Sequence, residues 1–131
     1  MRAGSSGVCW LEIEFILKPG KRREFARSFE DLIYQEGEGH IKSAVFEDRD
    51  EPGHMIWVAT WSSRAAVEAY MQSDQFGVVI GGLRVLSSRT DCRLIDEVHA
   101  AVATGAIPAR RTPQESRFTP IDLSDLEGPK H

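Results

Sequence analysis

Cysteine is scarce: Cys9 and Cys92 are the only two among 131 residues. Two thiols make neither a disulfide scaffold nor a thiolate metal framework, and they suit a cytoplasmic protein with reduced thiols. No run approaches the roughly 20 consecutive apolar residues that a bilayer-spanning helix needs. Residues 1–7 (Met-Arg-Ala-Gly-Ser-Ser-Gly) have no apolar stretch of the secretory kind. Sixteen basic against twenty acidic side chains leave a net charge of −4. With no global positive field, neither nucleic acid nor a membrane surface is an expected partner. The histidines His40, His54, His99 and His131 fall at no H-E-x-x-H spacing, and there is no C-x-x-C. A P-loop and a G-x-S-x-G nucleophile turn are also missing. Gly37-Glu38-Gly39 lacks a third glycine and precedes a strand pattern, so it is no dinucleotide fingerprint. The expectation is no metal and no cofactor.

What is present is an ordinary globular balance, 41% hydrophobic and 27% charged, which excludes a mostly disordered chain. The length suits one domain. Residues 1–7 are small and flexible in type, residues 8–98 carry nearly all the apolar periodicity, and residues 99–131 read as an extended tail. Four of the six prolines fall in that tail; Phe118, Ile121, Leu123 and Leu126 there can dock on a surface, a partner subunit's included, and the alternative is a disordered tail.

Within the core, residues 8–17 alternate, with Leu11, Ile13, Phe15 and Leu17 on one face and Trp10, Glu12 and Glu14 on the other. Phe25, Phe29, Leu32 and Ile33 make one stripe of an amphipathic helix over 21–36. Residues 41–48 and 54–61 read as strands joined by the turn Asp50-Glu-Pro-Gly53. Ser62 or Ser63 caps a helix that turns Val67, Tyr70 and Met71 inward, and Ser73-Asp74 opens another with Phe76, Val79, Ile80 and Leu83 on one stripe. Residues 89–98 read as the last strand. The order is βαββαβ: an α+β, ferredoxin-like fold with a four-stranded antiparallel sheet. Its first and last strands would run opposite ways, which keeps Cys9 and Cys92 out of bridging reach. Helices would cover one face only, and the other must be wet or meet a second sheet.

The stretch from Trp61-Ser62-Ser63 through Tyr70-Met71 to Ser73-Asp74-Gln75-Phe76 resembles the antibiotic biosynthesis monooxygenase (ABM) family, within the dimeric α+β barrel superfamily. So do Lys18-Pro19-Gly20 with Glu24-Phe25 and Phe29, and Phe46 before Glu51-Pro52-Gly53. The resemblance covers about residues 8–98. It implies a homodimer with sheets packed face to face and a small-molecule pocket between sheet and helices. It implies oxidation of a small aromatic compound, polyketide- or quinol-like, by dioxygen without metal or flavin. Tyr70 and Gln75 stand where many members have histidine, and Ala59 stands where an acid is frequent. Ile80 stands where haem-degrading relatives have a ligating histidine, and an aliphatic side chain cannot ligate iron.

Set on that frame, Tyr70, Arg84 and His40 are the candidate catalytic groups. Tyr70 can hydrogen-bond a substrate oxygen, Arg84 can hold an enolate, and His40 titrates near neutrality. The bland alternatives are core packing for Tyr70, a solvated helix face for Arg84 and a loop histidine for His40. Trp57, Trp61, Phe76 and Ile80 are the candidate pocket walls; Trp57 and Trp61 share a strand face, so together they line the pocket or fill the core. Glu12 and Glu14 are either an exposed or interfacial pair or buried acids. Two other readings need the same pocket: a dimeric binding or accessory protein without turnover, and an isomerase or cyclase needing only a base and an oxyanion donor.

Overall fold

The computed structural model describes residues 8–34, 37–95 and 118–127. The expected flexible N-terminus, the end of the last strand at Val98 and most of the expected tail lie outside them. The order is β1 (Cys9–Leu17), α1 (Arg22–Tyr34), β2 (His40–Asp48), β3 (His54–Trp61), α2 (Arg64–Met71), α3 (Asp74–Leu86), β4 (Ser87–Ile95), β5 (Phe118–Ile121) and a short 3₁₀ turn, Leu123–Glu127. The strands lie in the order β4-β1-β3-β2-β5, and every pairing is antiparallel. The ferredoxin-like α+β reading holds, with five strands where four are expected.

The extra strand comes from the segment after residue 98. Phe118 pairs with Asp48 and Ile121 with Val45 along the margin of β2. Pro120 disguises this strand in the sequence, because proline cannot donate to a ladder and is tolerated only at a sheet edge. β5 is such an edge. Leu123, just beyond it, is fully buried in the main core, and Ile121 and Leu126 pack against that core. These side chains therefore dock on the chain's own sheet and on α1.

Alternation along each strand divides two apolar clusters between the sheet faces. Leu11, Ile13, Phe15, Met55, Trp57, Ala59 and Trp61 face the helices. There they meet Phe25, Phe29 and Ile33 of α1, Val67 and Tyr70 of α2, and Val79 and Leu83 of α3. Gly82 lets α3 lie close to α1: a Cβ there would stand 2.7 Å from Phe29 Cζ. The opposite face gathers Trp10, Phe46, Ile56, Val58, Ile95 and Phe118, all buried. Glu12 on it is fully buried too, while Glu14 and Arg93 on the same face keep partial exposure. Cys9 and Cys92 form no disulfide; the register sets Cys92 opposite Ile13, four residues along from Cys9.

α3 follows α2 after a two-residue break, and Ser73 makes that break. Its Oγ accepts from Phe76 N at 3.2 Å and donates to Tyr70 O at 2.6 Å. Ser63 caps α2 likewise, accepting from Ala66 N at 3.1 Å. These two caps fix where Tyr70 and Phe76 stand.

Candidate functional site

At the end of β3 four rings follow one another. His40 meets Trp61 edge-on at 5.3 Å between centroids, Trp61 stacks on Tyr70 at 4.9 Å, and Tyr70 meets Phe76 edge-on at 5.2 Å. Beside this run lies a hollow of about 490 Å³, within the range of small-molecule sites. Glu38, Gly39, Ser62 and Ser63 line one side and Ala66, Ala69, Tyr70, Ser73 and Gln75 the other.

Gly39 makes this arrangement possible. Its φ of +89° is left-handed, and a Cβ there would stand 2.5 Å from Ala66 Cβ. The close approach lets Ser62 N donate to Gly39 O at 2.8 Å. It also delivers His40 onto Trp61. His40 Nε2 is hydrogen-bonded to Ser43 Oγ at 2.8 Å. Burial holds its imidazole below the usual value, a hydrogen bond with the Lys42 backbone pulling the other way. A neutral imidazole at pH 7 can accept a proton.

The structure brings His40, Trp61, Tyr70 and Phe76 together. It does not bring Arg84 to them. Arg84 is exposed near the C-terminal end of α3, close enough to Cys92 to oppose the upward push that burial gives the thiol. Ile80 is half-buried against the core. Trp57 is wholly buried and Trp61 is 1% exposed, so both fill space beneath the helices, and neither lines the hollow. Their indole N–H groups find no acceptor, an uncommon state for buried donors.

Glu38, Ser62, Ser63, Ser73 and Gln75 were not among the expected site residues. Ser63 and Ser73 announce themselves as helix caps, and a cap has no reason in sequence to border a cavity. Only the fold carries Glu38 and Gly39 across to α2.

The family model for antibiotic biosynthesis monooxygenases matches residues 11–80, more than half of the chain. No curated protein matches. Among solved structures, a conserved protein from Methanosarcina mazei Go1 superposes with a TM-score of 0.61 at 20% identity, covering 70% of this chain and 93% of that one. A protein from Shewanella oneidensis gives 0.61 at 18% identity, with coverages of 70% and 91%. A variant of SnoaB, a cofactor-independent oxygenase from Streptomyces nogalater, gives 0.56 at 16% identity, with coverages of 69% and 91%. At such identities these likenesses speak for the fold. Among the described residues no helix is long and apolar enough to cross a membrane. The matched span runs from β1 into α3 and so contains the ring sequence and the hollow beside it: the chain belongs to the antibiotic biosynthesis monooxygenase family.

Proposed function

We propose that this chain is a cytoplasmic, homodimeric, cofactor-independent monooxygenase that oxidises a small aromatic compound, anthrone- or quinol-like, with dioxygen. The observation that carries the reading is the hollow bordered by Tyr70, with Trp61 and His40 stacked behind it, inside a family-matched span. An electron-rich anthrone is its own reductant. Loss of a ring-CH₂ proton, passed by water at the Gly39 rim of the hollow to neutral His40, gives an enolate, and the enolate passes one electron to dioxygen. Recombination of the two radicals forms a carbon–oxygen bond. The resulting hydroperoxide loses water, converting CH₂ and O₂ to C=O and H₂O. Tyr70, at the border of the hollow, would hydrogen-bond the enolate oxygen, a contact that strengthens as charge develops. In this assignment Arg84 has no part, because it faces solvent away from the hollow.

One observation favours a second reading, a binding protein without turnover. The tryptophans that would make an aromatic wall are spent on the core, and the hollow is edged largely by serines, Glu38 and Gln75. Oxygen uptake with dithranol in air separates the two. Uptake that is unaffected by chelator and falls at least tenfold in both Tyr70→Phe and His40→Gln supports oxygenation. Saturable dithranol binding with no uptake establishes the binding role and overturns the first reading. Sedimentation of the full chain tests the dimer.

A further inference from the structure

At the opposite end of β3, the turn joining β2 to β3 folds three donors onto one point. Asp48, Glu51 and His54 each offer one atom, and the three atoms lie within 4.8 Å of one another. His54 Nδ1 stands 3.3 Å from Asp48 Oδ2 and 3.7 Å from Glu51 Oε1. We propose that this hairpin holds a first-row divalent cation of the Zn²⁺ type through Asp48, Glu51 and His54.

Four features carry the assignment. First, the other ring nitrogen is already engaged: His54 Nε2–H donates to Glu14 Oε2 at 2.6 Å. A carboxylate on the far nitrogen is how metal-binding histidines are oriented and made more basic. Second, His54 Nδ1 is buried and makes no hydrogen bond, although Asp48 Oδ2 is near. A buried nitrogen beside two carboxylate oxygens it does not bond to is what a coordinating lone pair would look like. Third, the spacings suit coordination. Bonds of about 2.0–2.2 Å put tetrahedral neighbours roughly 3.4 Å apart, and the two measured values bracket that figure. Fourth, the donors are held by other contacts. Asp48 Oδ1 accepts from Asp50 N at 2.8 Å, and Phe118 of β5 lies edge-on to the His54 ring at 5.1 Å. Glu51 is more than half exposed and leaves an entry path. One imidazole and two carboxylates with a solvent position open supply three protein ligands, the number that open zinc sites use. The chemistry-bearing residues fall at Asp48-x-x-Glu51-x-x-His54 across a turn, not at the helical spacing of H-E-x-x-H, so a search for familiar spacings passes over them.

The site is separate from the proposed oxidation. His54 opens β3 and Trp61 closes it, about 23 Å apart for seven extended steps. The ion would clip the hairpin and take no part in electron transfer.

Titration calorimetry of the metal-free full chain with Zn²⁺ tests this. The expected result is one saturable site that Glu51→Gln and His54→Gln each weaken at least tenfold. Glu14→Gln, which takes the carboxylate from His54 Nε2 and from Arg93 but removes no ligand, weakens it about 10–100-fold, while Glu68→Gln on α2 leaves it unchanged. Glu51 is exposed, so its variant keeps the fold, checked by circular dichroism. Co²⁺ adds a spectroscopic signature, visible d–d bands lost in His54→Gln. Absence of saturable binding at millimolar Zn²⁺ would leave His54 a structural hydrogen-bond partner of Glu14 and overturn the proposal. So would a site indifferent to Glu51→Gln and His54→Gln.

Discussion

The two ends of β3 solve opposite problems with the same strand. At Trp61 the chain stacks rings, buries them against α2 and leaves a hollow of about 490 Å³ beside them. At His54 it gathers Glu14, Asp48 and Glu51 about one imidazole beside a cavity of about 100 Å³. The first end is held by dispersion and apolar burial, which vary little with pH and salt, with the His40 imidazole the one ring there that titrates below neutrality. The second is held by charge, whose worth depends on both. Only the first has room for an organic molecule. The comparison teaches that a strand's two termini can be read separately: one as a place for a substrate, the other as a place for an ion or a proton.

The sharpest way to break that contrast is at the aromatic end. Trp61→Ala should cost about 3–5 kcal/mol of stability, measured by urea unfolding, with the same loss at high and low salt. At the charged end, Asp48→Ala should cost about 1–3 kcal/mol, because it strips partners from a buried cluster. Its cost should change with salt, where that of Trp61→Ala does not. If the two variants responded alike to salt, the division into an apolar and an ionic end would fail. Gly39→Ala should cost about as much as Asp48→Ala, about 1–3 kcal/mol, since it strains a left-handed residue and drives a Cβ into Ala66. It should also weaken dithranol binding by displacing His40. Ser63→Ala, which removes only the α2 cap, should cost about 1 kcal/mol.

The smallest effect is the pH response of His40. Burial lowers its folded-state pKa, so the unfolded chain binds its proton first as pH falls. The stability it contributes is whole above the ordinary value near 6.5 and is lost as pH drops through the depressed folded value. His40→Gln should flatten that part of the curve. If His40 is the base, kcat/KM for dithranol should fall along an acid limb whose midpoint lies below 6.5.

The elements in the first ninety-five residues were legible because each carries its own period. Leu11, Ile13, Phe15 and Leu17 alternate, and Phe25, Phe29 and Ile33 repeat along a helix; both sets are buried as those periods require. β5 was not legible: four residues containing Pro120 show no alternation, and only pairing with β2 makes them a strand. At the site, Tyr70, Trp61 and Phe76 could be picked out because they lie within one local segment. Arg84 could not be excluded there, since a helix stripe does not reveal that its outward face ends beside Cys92. The His54 cluster was illegible for the reverse reason: Glu14 sits forty residues earlier in the chain and reaches His54 only through the β1–β3 register.

Pro120 has one more consequence. It sits exposed in the strand that terminates the sheet on the β2 side, and it has no N–H to lend to a newcomer. A stray chain laid along that border would find its ladder broken within four residues, so the fold carries its own guard against fibre growth on that flank.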